Sequence, residues 1–332
     1  MISRRQVVFA FSTSVLSRPF ASFAQQPGKI WRIGFLVPTD SGSNAGGISA
    51  YGAAFVQEMQ AAGHVVGADY AIEVSSAKGD YERLPALAAE MVRLNVDILI
   101  PVSPIAVRAA HMATTTVPIV CIGAHDPVGA KMAASLARPG GNLTGLASFY
   151  GHLIPKHLEL VKSIVPKISR VAILANVGLK ADPVALEKVM EEGRKMGLHL
   201  QHVRGITQEE LTGAFAAMKR DRAGAFIGVA DAAIVRERQL IAGLALKNRL
   251  PSFFATRENV QAGGLASYGE NFIEMFTQAA KYVSKIMKGA KPGDLPIEQP
   301  SKFSLAINLK TAKALGLKIP QSVLVRADEV IE

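Results

Sequence analysis

Polar side chains able to hold or transform a small molecule stand directly after short apolar runs. Thr39, Asp40 and Ser41 follow Ile30–Val37, Ser103 and Pro104 follow Ile98–Val102, and His125 and Asp126 follow Ile119–Ile122. Farther along, Asn176 closes Val171–Ala175, Asp231 comes soon after Ala225–Val229, and Thr256, Arg257 and Glu258 come after Pro251–Ala255. Thr39 and Ser41 offer hydroxyls, and Asp40 offers a carboxylate for an ammonium group; Asp40 and Ser41 suit a turn equally well. Ser103 with Pro104 reads as the N-cap and first residue of a helix. That geometry also aims free backbone N–H groups and a positive dipole end outward, where a carboxylate can bind. Asp126-Pro127 repeats the cap pattern, and His125 is either a ligand contact or a loop residue. Asp231 and Arg257 could take the two ends of a zwitterion, pair with each other, or cap helices.

Catalytic motifs are missing around these residues. No G-x-x-x-x-G-K-[ST] phosphate loop, G-x-S-x-G elbow or H-E-x-x-H helix occurs. Gly42, Gly46 and Gly47 do not match the dinucleotide spacing, and no second histidine stands near His125 at a metal spacing. The only cysteine is Cys121, inside the apolar run Pro118–Ile122. It therefore reads as a core thiol. One thiol excludes an intrachain disulfide, a zinc site with two thiolates and two-cysteine racemase chemistry. No catalytic residue, metal or cofactor is expected.

The elements that position these residues alternate regularly. Strand-like runs at 30–37, 71–74, 98–102 and 119–122 are separated by helical periods, such as Tyr51, Phe55 and Met59 before Gly63. After Gly145 the same grammar restarts, with strands at 171–175, 200–203, 225–229 and 251–255 and helices between them, including one over 234–246. This order predicts an α/β protein whose parallel sheets carry helices on both faces, in two similarly wound lobes. A strand at Gly264–Tyr268, a long helix lined by Phe272, Phe276, Ala279, Ala280, Val283 and Met287, and an extended Lys291–Pro300 would carry the chain back and forth. A strand at Phe303–Ile307 and a short helix at Leu309–Leu315 follow. The expected lobes are 29–146 with 268–299 and 147–267 with 300–332, joined by about three strands at a hinge. Phe149 and Tyr150 lie at the first expected crossing and Tyr268 at the second; these aromatics could wall a pocket or fill the hinge core.

The first 24 residues have the layout of an export signal: Arg4-Arg5, an apolar stretch from Val7 to Leu16, and small residues Ser22 and Ala24 before a cleavage site. The apolar stretch, about ten residues, is too short for a bilayer, which takes about 20. Ser3-Arg4-Arg5-Gln6-Val7-Val8 also resembles a twin-arginine motif, so either export route is open. Periplasmic location follows. Loss of Arg4, Arg5 and Arg18 takes the formal charge from +10 to +7. The basic residues are scattered with no aromatic-interleaved stripe, which argues against nucleic acid.

Several phrases resemble the family of ABC-transporter substrate-binding proteins that includes tryptophan- and tyrosine-type binding proteins. They are Arg138-Pro139-Gly140-Gly141-Asn142-Leu143-Thr144-Gly145, Leu295–Phe303, Ile307–Leu317 and Arg326–Ile331. The resemblance implies a type I periplasmic-binding-protein fold of two Rossmann-like lobes, without catalysis. The expected function is an exported protein that closes its lobes on a small organic solute, an amino acid or related carboxylate with aromatic ones included. It would deliver that solute, as a monomer, to the membrane subunits of an ABC importer. A periplasmic sensor for a signalling receptor and a racemase-like enzyme are the alternatives.

Overall fold

The computed structural model describes residues 29–39, 50–148, 150–175, 183–205, 207–300 and 302–332. Its first lobe begins with β1 (Trp31–Val37), α1 (Ala50–Ala61), β2 (Tyr70–Ser76), α2 (Leu84–Arg93), β3 (Ile98–Pro101), α3 (Pro104–Ala113), β4 (Ile119–Ala124) and β5 (Leu143–Ala147). The second holds α4 (Tyr150–Ile164), β6 (Arg170–Ala175), α5 (Pro183–Lys195), β7 (His199–Arg204), α6 (Gln208–Arg220) and β8 (Ala225–Gly228). It continues with α7 (Ala232–Arg236), α8 (Arg238–Lys247), β9 (Ser252–Phe254), α9 (Arg257–Gln261) and β10 (Ala266–Glu270). The chain then returns with α10 (Phe272–Met287) and β11 (Ile297–Glu298), and crosses again into β12 (Phe303–Asn308), α11 (Leu309–Leu315), α12 (Gln321–Leu324) and β13 (Glu329–Ile331).

Two sheets result, in the orders β11-β5-β4-β3-β1-β2 and β13-β12-β10-β9-β8-β6-β7. Alternation along each strand explains why helices cover both faces. Ile33, Phe35, Ile98, Ile100, Val120 and Ile122 face α1 and α10, where Phe35 stacks on Phe276 with ring centroids 6.1 Å apart. Leu36, Leu99, Ile119 and Cys121 face α2 and α3 on the other side. Cys121 is fully buried, its Sγ 3.6 Å from the Leu146 carbonyl, and burial pushes its thiol up to about 12. β5 approaches β4 so closely that a Cβ on Gly145, at φ +118°, would collide with the Cys121 backbone.

Three expectations need correction. The second sheet is mixed, because β12 runs antiparallel to β10. The chain comes back from the first lobe at the carboxyl edge of the second sheet, so it enters β12 against the direction of its neighbour. Tyr268 does not mark a crossing: it pairs with Leu305 inside the second sheet, β10 runs on to Glu270, and the crossing falls at Asn271. Residues 268–270 thus lie in the second sheet and not in the first lobe. The single helix expected over 234–246 is two helices, broken at Glu237. β11, expected only as extended chain, pairs with β5 and is pinned by Thr144 and Tyr282, whose hydroxyls both donate to the Pro296 carbonyl at 3.1 and 2.8 Å.

Candidate functional site

The carboxyl ends of both sheets bear on one cleft, as direct side-chain contacts across it demonstrate. On the first lobe, β1 ends at Val37 and Thr39 follows two residues on, 1% exposed and with its Oγ1 lacking a hydrogen-bond partner among the described residues. Leu36 sits opposite Pro101 in the sheet, and Thr39 and the first residue of α3, Pro104, each follow three positions on. There Ser103 adopts φ +100° and ψ 155°, a conformation glycine tolerates and other residues rarely do, at a cost of about 1–3 kcal/mol. The strain is held by Ser103 N–H donating to the Ile122 carbonyl at 2.9 Å and by Pro104 fixing the first helical residue. Ser103 Oγ accepts from Ala106 N at 3.4 Å, so the cap reading holds while that bond is long.

His125 and Asp126 lie on an exposed loop, and Asp126 Oδ1 accepts from Gly129 N at 2.9 Å. Asp126, at φ +38°, shapes that turn instead of starting a helix.

On the second lobe, Asp231 caps α7: its Oδ1 accepts from Ala233 N at 2.7 Å and from the Tyr81 hydroxyl at 2.9 Å. Tyr81 belongs to the first lobe, so this bond spans the cleft. Arg257 starts α9 and pairs with its neighbour Glu258 at 3.8 Å. Among the readings open for Asp231, the cap is the one observed. The Glu258 carboxylate bears on the Tyr51 phenol at the start of α1, a second approach across the cleft. Burial, with the Glu258 carboxylate adding to it, holds the Tyr51 phenol well above its ordinary pKa. The ring lies 5.8 Å from Phe272 and 5.4 Å from Phe276. Arg236 completes this rim; its guanidinium occupies the space a side chain on Gly79 would fill.

Tyr268 sits apart from these residues. Its ring packs 5.9 Å from Phe303 and 6.3 Å from His157, in the hinge-side core of the second lobe. Asp40, Ser41, Phe149 and Asn176 lie outside the described residues, as do the side chain of Tyr150 and the export signal. Sequence reasoning missed Tyr51 and Tyr81 as cleft residues. Tyr51 has the helical spacing of a core residue, and Tyr81 finds its partner 150 positions away. Among the described residues no cluster of His, Cys, Asp and Glu could hold a metal ion. None of their helices is long and apolar enough to cross a membrane.

Residues 47–331 match the family described as ABC transporter substrate binding protein. The chain belongs to that family. A tyrosine-binding protein of Clostridioides difficile (strain R20291) is 24% identical to this substrate-binding protein over 264 residues, spanning 80% of this chain and 76% of its own. A conserved domain protein of Vibrio cholerae O1 biovar El Tor matches with a TM-score of 0.80 and 26% identity, over 91% of this chain and all of its own. An ABC domain from Streptococcus pneumonia in complex with L-Trp matches with a TM-score of 0.78 and 22% identity over the same shares. The fold is that of type I periplasmic binding proteins: two mostly parallel α/β sheets whose carboxyl edges meet.

Proposed function

We propose that this substrate-binding protein is exported, binds an amino acid with its carboxylate at the start of α3, and presents it to an ABC importer. The observation that carries the reading is Thr39: a fully buried hydroxyl without a partner among the described residues, three positions past Leu36, whose sheet partner Pro101 runs into the strained Ser103 and α3. A buried hydroxyl left unmatched costs about 1–3 kcal/mol. A carboxylate oxygen seated there would accept from Thr39 and from backbone N–H groups at a positive helix end. The L-Trp complex and the tyrosine-binding relative support an aromatic side chain, and the ring of Tyr51 lines the same cleft. Contacts from both lobes to one ligand are complete only when the lobes are together, so binding favours closure about the crossings. The export signal puts the protein in the periplasm, and its task is binding without turnover.

A thermal-shift screen of residues 25–332 against the twenty amino acids tests this. At about a hundred times its dissociation constant a ligand adds about 2.7 kcal/mol. L-tyrosine or L-tryptophan should raise the melting temperature in a concentration-dependent way, with the compound recovered unchanged. A chain that none of the twenty stabilises would refute the amino-acid reading.

A further inference from the structure

The contact between Tyr81 and Asp231 joins the lobes through protein atoms alone. Tyr81 opens a short 3-10 turn on the loop after β2, and that loop is tied to the end of β1: Ala77 N–H donates to Val37 and Gly79 N–H to Pro38, at 3.0 and 2.8 Å. The loop therefore moves with the segment that ends in Thr39. Asp231, on the other side, is fixed by capping α7, and α7 is tied to α9 by Asn259 Nδ2 donating to the Ile234 carbonyl at 3.2 Å. α9 carries Glu258, whose carboxylate bears on Tyr51. The two contacts across the cleft thus share one support in the second lobe, and Arg236 on α7 packs against Gly79 next to the Tyr81–Asp231 bond.

We propose that Tyr81 and Asp231 form a latch that sets ligand affinity without touching the ligand. It rests on the closure reading above. The hydroxyl-to-carboxylate bond exists only when the lobes meet, so it favours the closed arrangement with or without solute. Apparent affinity scales with the fraction of protein already in the binding-competent arrangement. Tyr81 and Asp231 are positioning residues here; the ligand's own contacts are left to Thr39 and the start of α3.

The test uses spin labels on Glu90→Cys and Lys219→Cys, exposed positions on opposite lobes; Cys121 is buried and stays unlabelled. Tyr81→Phe keeps the ring, and Asp231→Gly removes the acceptor while costing the helix cap only a few tenths of a kcal/mol. In the free protein each variant should shift the inter-label distances toward the long, open population, and the double variant should add nothing further. Binding of L-tryptophan should weaken by roughly tenfold in each, the loss expected for one hydrogen bond to a charged group. Distances that L-tryptophan shortens but Tyr81→Phe leaves unmoved would overturn the latch. Distances that Tyr81→Phe lengthens but that neither L-tryptophan nor L-tyrosine alters would uphold the latch and refute closure on an amino acid.

Discussion

The Ser148 hydroxyl lies 3.0 Å from each carboxylate oxygen of Glu270, and so links the starts of two interlobe crossings. Ser148 follows β5 and donates its N–H to the Ala124 carbonyl at 2.8 Å; Glu270 ends β10 directly before Asn271. Two segments of the hinge therefore share a charge-assisted hydrogen bond. Ser148→Ala should cost about 1–2 kcal/mol of unfolding free energy, because a half-buried carboxylate loses a donor. Glu270→Gln keeps an acceptor for that hydroxyl and should cost less. Urea denaturation of the two variants checks the order.

Thr39 gives an effect of opposite sign on stability and on binding. Thr39→Val replaces the unmatched buried hydroxyl with a methyl group of similar size. The free protein should gain about 1 kcal/mol or stay unchanged, since no hydrogen bond is lost with the hydroxyl. Chemical denaturation without ligand measures this. A loss above 1 kcal/mol would show that the hydroxyl already has a structural partner.

His157 supplies a pH dependence. It is fully buried on α4, with Nδ1 3.0 Å from the Leu153 carbonyl and Nε2 3.0 Å from the Phe254 carbonyl. A neutral ring has one N–H and can donate to only one of them. Burial holds the pKa below its ordinary 6.5, against the opposite pull of the carbonyls of Phe254, Leu153 and Tyr268. Below that value the unfolded chain binds a proton that the folded chain does not. Stability is therefore present above pH 6.5 and falls as pH drops beneath it, by at most about 1.4 kcal/mol per unit from this residue. Denaturation curves between pH 7 and 5 should show that slope, and His157→Gln should flatten it.

Cys121 should be inert in the folded protein. Its thiol is buried and its pKa is raised to about 12, so almost no thiolate exists near neutral pH. Labelling by a maleimide should follow global unfolding and accelerate with denaturant. Fast labelling under native conditions would contradict the packing of β4 against β5.

Much of this architecture is legible in the sequence because both faces of each sheet are covered. Ile98-Leu99-Ile100 and Ile119–Ile122 read as strands since every position is apolar, and Ser103-Pro104 marks a helix start by local chemistry alone. The end of β10 is not legible, because Gly269 and Glu270 look like a loop and are held in the strand by pairing with Ser304 and Phe303 of β12. Glu237 breaks a helix without glycine or proline to announce it. At the cleft, Asp231 shows its cap locally. The bond from Tyr81 to Asp231 and the approach of Tyr51 to Glu258 depend on how two lobes meet, and no local pattern encodes that.

The most direct measurement is a calorimetric titration of residues 25–332 with L-tyrosine and L-tryptophan, in the natural sequence and in Thr39→Val. One site per chain is expected for at least one of the two. Affinity should fall by roughly tenfold or more when the Thr39 hydroxyl is removed, the scale of a lost hydrogen bond to a charged group. An affinity that Thr39→Val leaves unchanged, or no binding of either amino acid, would contradict binding of an amino acid at Thr39.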